Sequence, residues 1–227
     1  MIINPIKYRT CEVTWRETKT KLRSYRKDHI TRSLKRGHYY EDEFLSHIAD
    51  TYGGPGMFVD VGAFVGNHPV FYAKHCGCDA VVAFEPFPET FRLLQHNVSR
   101  NELDKKVVCV NKALGDAPGH LKMLIHDRRN RGMNRIDQAG DVRVEVSTLD
   151  RELAGNSMPI RFLKIDAEGH GLEVIHGGRE VILKHRPAIA IEVEGDTLEP
   201  VTHLLGEMGY EAKGVHNGTP TWIFESE

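Results

Sequence analysis

The chain has 227 residues, of which 40% are hydrophobic and 27% charged, with a formal net charge of −2. That length suffices for a large domain with its own core, and the composition excludes the disordered and collagenous classes, while four cysteines are too few for a disulfide scaffold. The longest apolar run, Ala80 to Phe84, cannot span a bilayer, and the N-terminus lacks the apolar stretch of a secretory signal, so a cytoplasmic location is expected.

Charge is unevenly spread. Residues 1–38 carry eleven Lys and Arg against three acids, net +8, which leaves 19 against 29, net −10, on the remainder. A basic arm of this kind suits either an anionic partner, nucleic acid included, or a segment held against an acidic body. Leu22, Tyr25, Ile30 and Leu34 give it a partial apolar face, so a helical arm over 1–38 ahead of a domain at 39–227 is the expected layout. From Tyr39 onward, Tyr40, Phe44, Leu45 and Ile48 share one helical face until Gly53-Gly54-Pro55-Gly56 stops the helix. Met57–Val61 then reads as a strand, Gly62–Gly66 as a turn, and Asn67 as the cap of the next helix. Ala80–Phe84 is a second buried strand, Pro88 opens a helix with Phe91, Leu94 and Val98 on one face, and Val107–Val110 is a third strand. This alternation predicts a parallel sheet with right-handed crossovers.

Cys76 and Cys78 form a single Cys-x-Cys with no second pair, which reads as two plain thiols before it reads as zinc. Leu121–Ile125 and Val142–Val146 predict strands around an Arg-rich loop, Asp127–Asp137. Ile160–Ile165 is a further strand, Leu172–Ile175 lies in a helix, and Ala188–Val193 is another buried strand. Val201, Leu204, Leu205 and Met208 mark a last helix before a hairpin of Glu211–Val215 and Thr221–Phe224 that turns at Asn217-Gly218.

The strongest chemical signal is the strand-to-turn run Phe58–Asn67. Glycines there let a ligand approach the backbone closely, but the spacing is Gly-x-x-x-Gly, and Asp60 sits where a pyrophosphate would be repelled, which argues against a nicotinamide dinucleotide and a dehydrogenase. A carboxylate at that point suits a cationic head such as the ammonium and sulfonium of S-adenosylmethionine. Glu85, 23 residues after Gly62 at the end of the second strand, can accept hydrogen bonds from both ribose hydroxyls.

Five blocks in order, Phe58–Asn67, Ala83–Phe91, Asn111–Asp116, Ser147–Asp150 and Phe162–Gly169, resemble those of the FkbM family of S-adenosylmethionine-dependent methyltransferases. The resemblance runs from about Tyr39 to Gly195, so the basic arm lies outside it. It implies an α/β, Rossmann-like fold, a seven-stranded, mostly parallel sheet with a reversed C-terminal hairpin strand, and methyl transfer to an oxygen, most often a sugar hydroxyl. By position it implies that Asp60, Gly62, Ala63, Gly66 and Asn67 line the methionine end, Glu85 the ribose, and Ala113 with Leu114 the adenine side; the last two serve equally well as core.

Lys164, Asp166, Glu168 and His170 end the strand expected beside the first one, where open sheets bind ligands. Strand alternation places Lys164 and Asp166 on one face and Leu163 and Ile165 on the other. A buried Lys is either half of an ion pair or a working group. Asp166, Glu168 and His170 are candidate bases, with Lys164 to stabilise a developing alkoxide. Asp166 and Glu192 are also candidate ligands for Mg²⁺ or Mn²⁺. His126 and His216 fall near strand ends and read as solvated. Arg128, Arg129, Arg131 and Arg135 are candidates to clamp a phosphate or carboxylate on the acceptor, since guanidinium forks match those groups. The expected acceptor is a small molecule or glycan, with RNA the alternative that the basic arm would serve.

Overall fold

The computed structural model describes residues 8–124, 135–136, 140, 142–193 and 195–226. Its main departure from expectation is at the start. Tyr8–Trp15 (β1) and Thr18–Tyr25 (β2) are an antiparallel hairpin, not a helix, turning at Arg16 and Glu17, both at positive φ. The cause is a period of two: Cys11, Val13 and Trp15 pack on the body from one strand, while Thr20, Leu22 and Ser24 are buried from the other. Only His29–Lys35 (α1) is helical, capped by Asp28, whose carboxylate accepts from the Ile30 N–H at 2.8 Å. Leu22, Tyr25, Ile30 and Leu34 are all buried, so the arm docks through the residues expected to form its apolar face. Part of its charge is neutralised locally, by Arg16 on Asp50 at 2.5 Å and Lys19 on Glu12 at 3.0 Å.

The alternating elements follow in order: Asp42–Thr51 (α2), Met57–Val61 (β3), Asn67–His75 (α3), Ala80–Phe84 (β4), Pro88–Arg100 (α4) and Val107–Val110 (β5). The irregular middle is a separate four-stranded sheet of Ala113–Leu114 (β6), Gly119–Leu124 (β7), Arg135–Ile136 (β8) and Val142–Ser147 (β9), in the order β6-β9-β7-β8. Leu149–Glu152 (α5), Ile160–Ile165 (β10), Gly171–His176 (α6), Arg179–His185 (α7), Ala188–Glu192 (β11), Leu198–Glu207 (α8), Tyr210–His216 (β12) and Thr221–Ser226 (β13) complete the chain.

The main sheet has seven strands in the order β5-β4-β3-β10-β11-β13-β12. β13 is antiparallel to both its neighbours, so the final strand alone is reversed and β12 runs with the rest. The order turns back between β3 and β10, whose carboxyl ends therefore open a crevice. Core residues divide between the two faces: Phe58, Phe71 and Phe162 with Val13 and Leu22 on one, and Val59, Ile165, Ile191 and Phe224 on the other. α4 ties the hairpin down as a mock strand. Asn97 accepts from the Arg23 N–H at 2.7 Å and donates to the Arg23 carbonyl at 2.8 Å, and Asn101 donates to the Lys21 carbonyl at 2.9 Å. Among the described residues no helix is long and apolar enough to cross a membrane.

Candidate active site

The site begins where β3 and β10 converge. Lys164 pairs with Asp60 in the parallel register, and the Asp166 N–H donates to the Val61 carbonyl at 2.9 Å. Gly62 has φ +84°, and a Cβ there would stand 1.8 Å from the Asp166 carbonyl oxygen, so only glycine allows the two strand ends to meet. Phe64 is held in the left-handed region at φ 48°, its N–H donating to Glu85 at 3.0 Å. Gly66, at φ +90°, caps α3, a Cβ on it would press Leu94 at 2.8 Å, and it is absent from the cleft wall. Asn67 is not the cap. Its amide donates to the Tyr40 carbonyl at 2.9 Å and accepts from the Tyr40 N–H at 3.1 Å, so it fastens the segment ahead of α2 to α3.

These strand ends floor a cleft of about 680 Å³. Its walls carry Gly62, Ala63, Asn67 and Glu85 from the first half of the sheet, Ala113 and Leu114 from β6, and Asp166, Glu168, His170 and Glu192 from the second half. Asp60 is fully buried beneath the turn and does not reach the wall. Lys164 is 2% exposed, and its Nζ donates to Asp166 Oδ2 at 2.9 Å, the ion pair that alternation allowed. Ala113 and Leu114 are both buried in apolar clusters and both reach the wall, so they serve as core and as lining at once.

The electrostatics are those of crowded carboxylates. Burial raises the Asp60 carboxyl above its usual range despite Lys164 and His68 nearby. Burial also pushes Glu85 up to about 8, against the Phe87 and Phe64 amides that hold its two oxygens at 2.8 and 3.0 Å. Burial disfavours the Lys164 ammonium, but the carboxylates of Asp166, Asp60 and Glu41 overcome it and raise its affinity for the proton. Glu192 is pushed up to about 8 by burial and then by Asp166.

The side chains at this cleft that were not anticipated include His29, Tyr40, Glu41 and His68. Glu41 bonds His68 at 3.0 Å and sits at φ 59°, a backbone state for which a sequence gives no sign at a non-glycine residue. His68 did carry a signal, standing directly after the glycine turn in the first turn of α3. His216, by contrast, stacks on His47 at 4.7 Å away from the cleft, as a structural residue.

Two expectations need correction or fall elsewhere. Among the described residues no three His, Cys, Asp or Glu side chains converge to hold a metal ion, so the Mg²⁺ or Mn²⁺ site at Asp166 and Glu192 is not supported. Asp166 is turned to Lys164, and the Nδ1 of His170 is buried at the start of α6 without a hydrogen bond. Arg128, Arg129 and Arg131, like His126, lie outside the described residues, and of Arg135 only the backbone is described, in β8.

A model of the methyltransferase FkbM domain matches residues 60–212. A hexuronic acid methyltransferase, AglP, of Haloferax volcanii is 28% identical over 150 residues, which is 65% of this chain and 60% of that protein. A methyltransferase, sdnD, of Sordaria araneosa is 26% identical over 173 residues, 61% of this chain and 67% of its own. The crystal structure of an FkbM methyltransferase from Methylobacillus flagellatus matches with a TM-score of 0.56 at 18% identity, over 75% of this chain and 43% of that one. The chain thus spans three fifths of the archaeal relative and under half of the bacterial one, and the structural likeness is one of fold.

Proposed function

We propose that this chain, which belongs to the FkbM methyltransferase family, uses S-adenosylmethionine to methylate a hydroxyl of a sugar or sugar-containing small molecule. The observation that carries this reading is the crowding of Glu41, Glu85, Asp166 and Glu192 around one cleft with Asp60 beneath it, a surplus of carboxylate suited to a ligand with a cationic head. The described residues fit that ligand. In this reading Glu85 serves the ribose, Ala113 and Leu114 an apolar face of the adenine, and the turn from Gly62 to Asn67 the methionine end, which their shared cleft supports. When bound, the cofactor supplies an activated methyl group with a good leaving group attached.

The protein's part is then to align an acceptor oxygen, exclude water and take a proton. Alignment in a closed cleft can supply about 7 to 11 kcal/mol of the barrier, and a positioned base about 10² to 10⁴ in rate. Asp166, Glu168, His170 and Glu192 line the side of the cleft that remains for the acceptor, and Tyr40 and Glu41 bring the N-terminal segment onto it. Lys164, held against Asp166 at 2.9 Å, serves in this reading as the fixed positive charge that favours a developing alkoxide. The hexuronic acid named for the archaeal relative supports a saccharide acceptor, and an acidic one would engage the arginines of 128–135. Calorimetry tests the cofactor: S-adenosylmethionine should bind and NAD should not, and Glu85→Ala should weaken binding by about 1.5 to 3 kcal/mol, the worth of hydrogen bonds to a charged group. Unchanged affinity in that variant would remove Glu85 from the site.

A further inference from the structure

Of the acids on the cleft wall, most are already engaged. Glu85 is held by two backbone amides, Asp166 by Lys164 at 2.9 Å and Glu41 by His68 at 3.0 Å. Glu168 is exposed on the turn after β10. Glu192 differs: it is half-buried at the carboxyl end of β11, lines the cleft, and has no hydrogen-bond or ion-pair partner among the described residues. The charges that face it are Lys164 from β10, Asp166 and Glu168 from the following turn, and Glu41 and the Tyr40 phenol from the segment before α2. Such a carboxylate, unpaired and crowded by others of its sign, keeps its proton until a positive charge arrives beside it.

We propose that Glu192 is the base that takes the acceptor's proton, and that arrival of the cationic cofactor is what frees its carboxylate to do so. This rests on the methyltransferase reading above and adds to it a named base and an order of events. In the transfer, the acceptor oxygen gives its proton to the Glu192 carboxylate and forms the new bond to the methyl carbon. The electron pair of the broken carbon–sulfur bond goes to sulfur, a sulfonium becomes a neutral thioether, and Glu192 is left as the neutral acid that the empty cleft favours, its proton passing to water only when the next cofactor binds. The same step leaves the cleft without the positive charge that ionised Glu192, so the base resets with product release.

S-Adenosylmethionine and S-adenosylhomocysteine differ by that one charge, which gives a test that needs no turnover. Calorimetric titration of the full chain at pH 7 in buffers of different ionisation enthalpy reads protons released per ligand bound. The expected result is a release about half a proton greater for S-adenosylmethionine than for S-adenosylhomocysteine, since a group with its midpoint near 8 starts mainly protonated. In Glu192→Gln the difference should vanish while both ligands still bind within about tenfold of wild-type affinity, and single-turnover transfer to the saccharide that the wild type methylates should fall by about 10² or more. Equal proton release for the two ligands by the wild type overturns the proposal, as does a Glu192→Gln enzyme that transfers within about threefold of normal. A wild type that binds neither ligand refutes the methyltransferase reading itself, and binding and transfer that persist without the proton difference refute the role of Glu192 alone.

Discussion

Lys164 is the residue on which the centre of the sheet depends. It lies within a parallel strand, nearly inaccessible, and serves as the counter-charge for Asp60, Asp166 and Glu41 together. Replacing it with Met keeps the length and removes the charge, which leaves buried carboxylates facing one another. The expected cost is about 3 to 5 kcal/mol in urea denaturation, the range for breaking a buried pair from one side. Adding Asp60→Asn to Lys164→Met should return part of that loss, and a Lys164→Met protein within about 1 kcal/mol of wild type would show that water, not Lys164, screens these acids. Alternation in the sequence made the common face of Lys164 and Asp166 legible, because a strand has a fixed period. It could not show that Asp60 stops short of the cleft, nor that Glu41 and Phe64 take left-handed backbone states, since those follow from contacts made across the fold.

At the level of elements, the central strands were legible because strands buried on both faces are short, mostly apolar runs, unbroken in Ala80–Phe84 and Val107–Val110 and interrupted only by Asp60 in Met57–Val61 and by Arg161 and Lys164 in Ile160–Ile165. The N-terminal hairpin was less legible. In β2, Lys and Arg at 19, 21 and 23 alternate with the buried Thr20, Leu22 and Ser24, so a period of two stood in the sequence beside the apolar spacing of Leu22, Tyr25, Ile30 and Leu34 that suggested a helix. α7 was not foreseen; Gly177 and Gly178, which separate it from α6, permit close packing against Gly115 and Leu149. One amide makes several of the bonds that attach the hairpin. Asn97 satisfies the Arg23 N–H, the Arg23 carbonyl and the Val65 carbonyl, so Asn97→Ala strands three backbone groups and should cost about 2 to 3 kcal/mol. The same variant should open residues 8–25 to limited proteolysis, and Asn101→Ala, whose bonds to Lys21 are exposed, should do far less. Equal protection of the hairpin in wild type and Asn97→Ala would mean that its apolar packing and its other hydrogen bonds hold it without this amide.

On the scale of the whole molecule, one sheet organises two tasks. Its first half, with the glycine turn and Glu85, forms the wall assigned to the cofactor, and its second half, with Asp166 and Glu192, forms the wall assigned to the acceptor. The docked N-terminal segment closes the space between them through Tyr40 and Glu41, so residues outside the matched family region take part in the cleft. The order of the blocks along the sequence was enough to foresee the two walls; the third, built by residues 29–41, depended on how the arm packs. The central claim, methyl transfer to a saccharide hydroxyl, is tested most directly with S-adenosylmethionine carrying a labelled methyl group, offered with free hexuronic acids, nucleotide-linked sugars, glycans and RNA in parallel. The account predicts label in a saccharide as an ether stable to mild base, with transfer to RNA at background. Label recovered in RNA alone, or in no acceptor while S-adenosylmethionine remains bound and intact, would contradict it.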